Sequence, residues 1–221
     1  MKILTLADEE CKALWDFYTP GRLAEYDLIL SCGDLKPEYL SFLVTMARCP
    51  LLYVHGNHDG KYAVRPPEGC DCIDDHYVVF NGLRILGLGG SRKYSPGPYQ
   101  YTEREMRQRI RKLKWLLWWH DGVDIVVTHA PPEGLGDGED PAHWGFAELK
   151  ALIEEYHPKY LIHGHVHMSY DHTLPREQEY QGTRIINAYE RYVLEVEEGK
   201  YPLQQRGQVV WKTPHKDPGG L

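Results

Sequence analysis

Residues 50–60 have the sequence PLLYVHGNHDG, an apolar run followed directly by glycine, asparagine, histidine and aspartate. Further short apolar runs also end at polar or glycine-rich positions: KILTLA (2–7), DLILSC (27–32), DIVVTH (124–129) and KYLIHG (159–164). Such runs predict buried strands. Because loops at the carboxyl ends of neighbouring strands in an α/β sheet converge on one crevice, we expect the polar residues to meet there.

Amphipathic segments between and after these strands predict helices: PEYLSFLVTMA (37–47), TEREMRQRIRKLKWLLWW (102–119) and FAELKALIEEY (146–156). Thr102 and Glu105 fit a capping box at the start of the longest helix. Its basic residues favour a solvated outer face over a substrate-facing patch. The dipeptide Asn81-Gly82 predicts a hairpin turn. Strands, helices and hairpins in this order indicate an α/β protein with mixed sheets.

The composition describes an ordered, acidic, globular chain. Of its 221 residues 42% are hydrophobic, and 25 basic against 32 acidic residues give a formal net charge of −7. That balance argues against bulk electrostatic binding to nucleic acid or to an anionic membrane, and leaves a local basic pocket open. We expect one domain over residues 1–210 and a loosely ordered tail over 211–221.

Cysteine usage and hydropathy predict a cytoplasmic protein. The five cysteines form no CxxC pair, which disfavours a cysteine zinc site and a disulfide framework. No apolar run approaches the ~20 residues of a membrane span. The first apolar run ends at Asp8 and is too short for a signal peptide.

The polar residues at the strand ends are metal ligands by type: Asp8, Asp34, Asn57, His129, His165 and His167. Asp, Asn and His without cysteine describe a site for a hard to borderline divalent ion. His165 and His167 are two residues apart, so both rings face one side of an extended segment. There are more donor groups than one ion needs. Two metal ions that share a bridging carboxylate therefore account for this set better than a single ion does.

In this order the chain resembles the calcineurin-like metallophosphoesterases, whose pattern is D-x-H, G-D, G-N-H-D/E, a lone His and G-H-x-H. The corresponding segments here are D-E-E, GD, GNHD, THAPP and GHVH, spread from residue 3 to about residue 190. The loops THAPPEGLGDGEDPAHWGF and LGLGGSRKY are similar to a bacterial branch of that superfamily. The resemblance implies a four-layer αββα sandwich of two mixed β-sheets flanked by helices.

The resemblance also implies a role for each matching residue. It assigns Asp34 to bridge two metals, Asp8 and His167 to the first metal, and Asn57, His129 and His165 to the second. It places His58 beside the phosphate as a proton donor or charge stabiliser. Asp59 would then orient the His58 imidazole or raise its basicity.

The chemistry that follows is hydrolysis of a phosphate ester by a metal-bridging hydroxide. We expect a small phosphorylated substrate such as a nucleotide, with a phosphodiester slightly favoured over a phosphomonoester. The most suitable metal is Mn²⁺, with Fe²⁺, Mg²⁺ and Zn²⁺ as alternatives. The rival hypothesis is a non-catalytic metal-binding scaffold of the same fold, since the first motif lacks its histidine.

Glu10 stands at the place of that missing histidine. Position i+2 from Asp8 lies on the same side of an extended segment, so the Glu10 carboxylate is a candidate ligand of the first metal. An added carboxylate would favour Mn²⁺, Mg²⁺ or Fe²⁺ over Zn²⁺. Equally, Glu10 is a candidate cap for the helix-like segment that follows it, since acids are favoured at helix N-termini.

Three further residues are candidates for substrate binding. Arg92 and Tyr94 in GGSRKY suit a phosphate or a base, with a surface turn as the more ordinary explanation. His143, in the Gly-rich loop after His129, suits a pocket wall. His55 and His163, near the strand ends, favour structural roles. Exposed tryptophans around 115–119 leave an oligomer interface open.

Overall fold

The computed structural model describes residues 1–169, 175–197 and 199–200, and the backbone of 210–211. The strands are β1 Lys2–Leu6, β2 Leu28–Ser31, β3 Leu51–Tyr53, β4 Asp71–Cys72, β5 Tyr77–Phe80, β6 Leu83–Leu88, β7 Ser91–Arg92, β8 Gln100–Tyr101, β9 Ile125–Thr128, β10 Tyr160–His163, β11 Glu177–Tyr180, β12 Thr183–Asn187, β13 Tyr192–Glu195 and β14 Val210–Trp211. The helices are α1 Pro37–Ala47, α2 Glu103–Trp119 and α3 Ala147–Tyr156, with 3₁₀ turns at Lys12–Leu14 and Asp59–Ala63.

Two mixed sheets form the centre of the fold. The five-stranded sheet has the order β13-β1-β2-β3-β4, and the seven-stranded sheet has the order β11-β12-β10-β9-β6-β5-β14. Strands β1 to β4 are parallel, as are β12, β10, β9 and β6, whereas β13, β11, β5 and β14 pair antiparallel at the edges. All five strands predicted from the apolar runs are present.

Alternating side chains divide the core into layers. Ile3 of β1 packs between the two sheets, whereas Leu4 of the same strand packs toward α1. On the far side of the second sheet, Val126 of β9 packs under α2 and α3. Successive strand residues point to opposite faces, so each sheet has two buried faces and needs a covering layer on both. The result is the expected αββα sandwich.

Local sequence signals set the turn and the helix start where they were expected. Asn81 and Gly82 have φ of 45° and 76° and join β5 to β6, as a primed turn requires. The Thr102 hydroxyl accepts from the backbone N–H of Glu105, and the Glu105 carboxylate accepts from the backbone N–H of Thr102. Both halves of the capping box are therefore formed.

The described part of the chain adds three findings. All five cysteines are free thiols. None of the helices in the described ranges is both long and apolar enough to cross a bilayer. Residues 210–211 pair with β5, and the rest of the expected tail, 212–221, lies outside the described residues.

Candidate metal centre

The loops that follow parallel strands of both sheets meet in one crevice. Within the first sheet, the backbone N–H of Asp8 after β1 donates to the carbonyl of Gly33 after β2 at 3.1 Å. Between the sheets, the backbone N–H of His165 after β10 donates to the Asp8 carboxylate at 2.9 Å. The crevice is therefore built at the carboxyl ends of strands, as the sequence predicted, but these strands belong to two sheets and not to one.

Asp8, Asp34 and His129 form the centre of this crevice. One ligand atom from each lies within 4.8 Å of the others. The distance from Asp34 Oδ2 to His129 Nε2 is 3.3 Å, and the side chains of Asp34, His129 and Asp8 are 8%, 0% and 1% exposed. Two ionised carboxylates held this close, out of water, repel each other, and either a cation between them or protonation of one of them relieves the repulsion.

Asn57 completes one side of the cluster. Its Oδ1 lies 3.0 Å from His129 Nε2. The other ring nitrogen of His129, Nδ1, donates to the carbonyl of Cys32 at 2.7 Å, which fixes the ring orientation and leaves Nε2 facing Asn57 and Asp34. A backbone carbonyl behind the ring is the usual support of a metal-ligating histidine.

The two histidines of GHVH both contact Asp8, His165 through its backbone N–H and His167 through its ring. His165 donates from Nε2 to the carbonyl of Ala142 at 2.7 Å, so its Nδ1 is the atom that can bind a metal. The His165 ring lies 4.8 Å from the His129 ring, centroid to centroid. His167 Nε2 lies 3.9 Å from Asp8 Oδ1. His167 thus stands with Asp8, and His165 with His129.

The charges of the crevice favour a cation. Burial raises the pKa of Asp8 to about 7, assisted by the neighbouring carboxylate of Asp34. Burial also opposes ionisation of Asp34, but the charge of His129 and its hydrogen bond outweigh burial and lower the pKa of Asp34 to about 2. Burial disfavours the charged His129 ring, yet Asp34 and then Asp8 raise the pKa of His129 to about 9. A protonated His129 ring and a bound metal ion are therefore alternative sources of the positive charge that stabilises these carboxylates, because a ligating imidazole is neutral.

Backbone geometry at the crevice is unusual in a consistent way. Asp8, Asp34 and His165 have φ of 65°, 58° and 67°, in the left-handed region that costs non-glycine residues free energy. A Cβ at Gly56 would lie 2.0 Å from Asp34 Oδ1, so this position accepts only glycine. Such conformations persist where the surrounding structure holds them for function.

These residues fit a divalent metal site. Oxygen and imidazole donors converge there, and the carboxylates are buried. Backbone carbonyls accept hydrogen bonds from the His129 and His165 rings and so fix their orientation. Asp34 has a ligand atom 3.3 Å from His129 Nε2 and one within 4.8 Å of a ligand atom of Asp8. That arrangement is compatible with the bridging role that the sequence resemblance implies.

Glu10 and Glu9 point to different partners. One Glu10 oxygen accepts from the backbone N–H of Lys36 at 3.1 Å and the other from Lys36 Nζ at 3.3 Å. Lys36 is the N-cap residue of α1, so Glu10 contacts a later helix than the segment directly after it, whose 3₁₀ turn at Lys12–Leu14 has no side-chain cap. Glu9 accepts from the hydroxyl of Tyr189, whose ring lies 5.2 Å from that of His167. Ligation by Glu10 would require it to leave Lys36 and stays a prediction.

His58 and Asp59 contribute differently from each other. The His58 side chain is exposed at the crevice, while its backbone N–H donates to Asp34 Oδ1 at 2.8 Å. Asp59 is buried, and its Oδ2 accepts from the backbone N–H groups of Asp34 and Gly56, both at 2.8 Å. Asp59 therefore ties the GD loop to the GNHD loop and is engaged there.

The three candidate substrate residues differ in how directly they contact the candidate ligands. Asn57 Nδ2 donates to the Tyr94 hydroxyl at 3.1 Å, which places Tyr94 directly beside a candidate ligand. His143 bonds Asp140 at 2.7 Å, and its ring lies 5.3 Å from that of His165. Arg92 pairs with Glu103 at 2.9 Å and donates to the carbonyl of Gly145, so it braces the loop containing His143.

Tyr189 is a further residue of the crevice that lies outside every sequence motif named above. Its hydroxyl contacts Glu9 and Ser169, and its ring packs against His167. It follows the carboxyl end of β12, a parallel strand like those that supply the ligands, and that position was the available signal.

The predicted structural roles of two other histidines agree with their contacts. His55 forms a hydrogen bond with Asp74 at 2.7 Å, and His163 forms one with the carbonyl of Gly164 at 2.9 Å.

Comparison with known proteins identifies relatives at low identity. A family model described as calcineurin-like phosphoesterase matches residues 9–169. The UPF0046 protein K07C11.7 of Caenorhabditis elegans is 24% identical over 166 residues, covering 64% of this chain and 56% of that protein. A lariat debranching enzyme of Entamoeba histolytica is 25% identical over 151 residues, covering 54% of this chain and 43% of that protein. The chain thus spans about half the length of these curated relatives.

Solved structures share the fold. The crystal structure of TT1561 of Thermus thermophilus is similar with a TM-score of 0.58 at 16% identity, covering 86% of this chain and 89% of that chain. Another crystal structure gives a TM-score of 0.64 at 16% identity, covering 87% of this chain and 94% of that chain. At this identity the similarity establishes the architecture.

Proposed function

Since the chain belongs to the calcineurin-like phosphoesterase family, we propose that it is a hydrolase that cleaves phosphate esters with two divalent metal ions, most readily Mn²⁺. The observation that carries the proposal is the convergence of Asn57 Oδ1 and Asp34 Oδ2 on His129 Nε2, at 3.0 and 3.3 Å, inside a buried acidic crevice. Relatives named as lariat debranching enzymes, at 25% and 24% identity, support phosphoesterase chemistry.

The metals would be held by residues of both sheets. Asp34 would bridge the two ions, Asp8 and His167 would hold the first, and Asn57, His129 and His165 would hold the second. When bound, two such ions supply a nucleophile at neutral pH and neutralise the phosphoryl oxygens. The surrounding carbonyls of Cys32 and Ala142 fix the ligating nitrogens of His129 and His165.

His58 acts on the substrate from the rim. Its imidazole is exposed where its backbone is tied to Asp34, so a bound phosphate ester lies within reach of its ring. Protonated, it stabilises charge on the leaving oxygen or donates a proton to it. Asp59 acts indirectly, because its carboxylate holds the backbone that carries both Asp34 and His58.

Tyr94, His143 and Arg92 define where the rest of the substrate lies. Tyr94 is partly exposed and touches Asn57, which suits stacking or hydrogen bonding by a small phosphorylated ligand such as a nucleotide. His143, oriented by Asp140, forms the opposite wall near His165. Arg92 holds that wall in place through Gly145. We place a small phosphorylated ligand beside Tyr94 and His143, with a phosphodiester slightly favoured over a phosphomonoester.

A non-catalytic scaffold is the second candidate, favoured by one observation. Glu10, at the position where the family has a ligating histidine, is bound to Lys36 instead of facing Asp8. The first metal then lacks one ligand and binds more weakly. Weak occupancy of one position would leave a metal-binding protein with little turnover.

Metal analysis combined with turnover separates the two candidates. Purified protein is loaded with Mn²⁺, Mg²⁺, Fe²⁺ or Zn²⁺ and assayed with an aryl phosphodiester and an aryl phosphomonoester between about pH 6 and 9, which spans the titration of histidine and metal-bound water. We expect Mn²⁺-dependent hydrolysis, faster with the diester. His157→Asn, at an exposed histidine outside the crevice, is the matched control.

Two variants test the assigned roles. Asn57→Ala should lose both Mn²⁺ affinity and turnover, because it removes a ligand. His58→Ala should retain its metal content and lose about 10²–10⁴ in turnover, the usual contribution of acid catalysis. Stoichiometric metal with no turnover under any condition would establish the scaffold. Turnover that is unchanged in Asn57→Ala would refute the site itself.

A further inference from the structure

The outward face of α2 ends in three exposed tryptophans. Trp115, Trp118 and Trp119 are 58%, 77% and 68% exposed, and all lie in the last two turns of the helix. Tryptophan offers a large apolar body with one polar N–H and is rarely left in water as a cluster. Grouped exposed apolar residues of this kind mark an interaction surface.

The same face carries unpaired positive charge. Arg104, Arg111 and Lys112 are exposed, and a helical repeat of 100° per residue places them on the side of α2 that carries the tryptophans. Among the described residues, none of the three has an acidic partner within salt-bridge distance. By contrast, Arg107 and Lys114 on the flank of α2 are paired with Glu148 and Glu155 of α3.

These six residues, Arg104, Arg111, Lys112, Trp115, Trp118 and Trp119, are called here the Trp-basic face. Helix α2 contains six basic and two acidic residues, in a chain whose net charge is −7. Positive charge is thus concentrated on one helix against the overall sign of the protein. Such segregation indicates an anionic partner at this surface.

We propose that the Trp-basic face docks the protein on an anionic phospholipid surface. Tryptophan rings partition to the boundary between headgroups and acyl chains, where the ring is dehydrated and the N–H stays hydrated. Neighbouring arginine and lysine side chains are attracted by anionic headgroups and extend their alkyl stems along the apolar boundary. The face has both elements side by side on a rigid helix.

Two other occupants fit the face less well. A two-fold contact with a second copy would bring the cations of one Trp-basic face against those of the other, and the face contains no acid to compensate. Single-stranded nucleic acid binds through aromatic rings on which successive bases stack. The Trp118 and Trp119 rings are inclined at 61° with centroids 6.4 Å apart, which does not form a parallel platform.

The position of the face leaves the candidate metal centre open. Helix α2 ends at Trp119 and leads into the amino end of β9, whereas His129 follows the carboxyl end of the same strand. The tryptophans and the crevice therefore lie at opposite ends of the second sheet. Docking by α2 would hold the protein at a membrane without covering its crevice.

Vesicle co-sedimentation tests the proposal directly. The full chain is mixed with vesicles of phosphatidylcholine alone and of phosphatidylcholine with phosphatidylglycerol, at low and high salt. We expect sedimentation only with the phosphatidylglycerol vesicles, weaker at high salt, and a blue shift of tryptophan fluorescence on binding. Each basic residue contributes roughly fivefold to binding at an anionic surface. The double variant Arg111→Gln with Lys112→Gln should therefore weaken binding about 25-fold.

Apolar variants and matched controls complete the test. Trp118→Ser with Trp119→Ser should weaken binding at least about tenfold through lost apolar contact. Phe17→Ser removes an aromatic side chain that is 70% exposed elsewhere, and Lys12→Gln with Arg48→Gln removes two exposed charges outside α2; both should leave binding unchanged. Folding of each variant is verified by its thermal transition.

Three results would overturn the proposal. Equal sedimentation with neutral and anionic vesicles, or none with either, would exclude an anionic lipid surface. A dimer in analytical ultracentrifugation that dissociates in Trp118→Ser with Trp119→Ser would assign the face to a second copy. Loss of vesicle binding on addition of a single-stranded oligonucleotide, with direct oligonucleotide binding through the same tryptophans, would assign it to nucleic acid.

Discussion

Asp34 shows how single residues are constrained at this crevice. Its φ is 58°, its carboxylate accepts from the backbone of His58, and its own backbone N–H donates to Asp59. Gly56 lies against it so closely that a Cβ would overlap the carboxylate. The glycine and acid of neighbouring motifs are therefore one steric unit, although they are 22 residues apart in sequence.

Gly56→Ala is expected to damage the metal site more than the fold. The new methyl group would lie 2.0 Å from Asp34 Oδ1 and displace it. We expect Mn²⁺ affinity and turnover to fall about 10- to 100-fold, as for the loss of groups that orient metal ligands. Isothermal titration with Mn²⁺ measures this, and Gly21→Ala is the control for Mn²⁺ affinity, because no atom lies within 4 Å of a Cβ there and only its φ of 87° adds backbone strain. Equal effects in both variants would contradict the steric explanation.

Glu10 is the residue on which the sequence left two alternatives, and its observed contacts are to Lys36. Both its oxygens bind Lys36 at the start of α1. Glu10→Gln should therefore change Mn²⁺ affinity by less than about threefold and cost at most about 1 kcal/mol of stability, as for a partly exposed ion pair. Metal titration and thermal unfolding of the same samples measure both. A tenfold or larger loss of Mn²⁺ affinity would assign Glu10 to the first metal.

At the scale of elements, Arg84 and Asp124 connect β6, β9 and the end of α2. Arg84 of β6 forms two side-chain hydrogen bonds to Asp124, at 2.9 and 3.0 Å, just before β9 begins. Arg84 also donates to the carbonyl of His120 after α2 at 3.0 Å. Burial alone would raise the pKa of Asp124, but the hydrogen bonds from Arg84 outweigh burial and lower it.

The stabilisation from Asp124 should depend on pH with a defined sign. A folded-state pKa below the unfolded value of about 3.9 means that the folded chain binds fewer protons, so the contribution is complete above that pH and is lost as pH falls. Asp124→Asn should cost about 1.5–3 kcal/mol at neutral pH, the range for hydrogen bonds to charged groups. Urea unfolding at neutral pH and near pH 3 should show the difference shrinking in acid. Asp16→Asn, at an exposed carboxylate, should show no such trend.

At the scale of the whole molecule, the crevice connects the two sheets. Asp8 belongs to the first sheet and accepts from the backbone of His165 in the second, and His129 of the second donates to the carbonyl of Cys32 in the first. A metal bound among these residues would bind the folded chain and not the separated sheets. Metal binding should therefore stabilise the protein as a unit.

Removal of metal should lower the melting temperature. At a free Mn²⁺ concentration about 100 times the dissociation constant, binding adds about 2.7 kcal/mol. For a chain of this length that corresponds to a shift of roughly 5–10 °C. Differential scanning calorimetry with Mn²⁺ and with EDTA measures the shift, and Asn57→Ala should reduce it. A melting temperature that is insensitive to metal would contradict binding at this site.

The sequence alone determined five central strands, the three helices and one hairpin. Apolar runs of strand length, the Asn81-Gly82 turn and the capping box at Thr102 are local signals, and the structure contains all of them. The ligand types could be predicted as well, since polar residues at the ends of parallel strands converge whenever those strands share a sheet edge. The motif order then indicated the family, which the comparison confirmed.

Only the tertiary structure decided which partner each side chain takes. Glu10 meets Lys36, Asp59 holds two backbone N–H groups, and Tyr189 packs on His167. Each of these contacts joins residues from separate elements, at distances set by how two twisted sheets pack. Periodicity fixes which face of a strand or helix a residue occupies, but not what lies opposite that face. The sequence therefore determined the fold and the chemical type of the crevice, and tertiary packing determined its contacts.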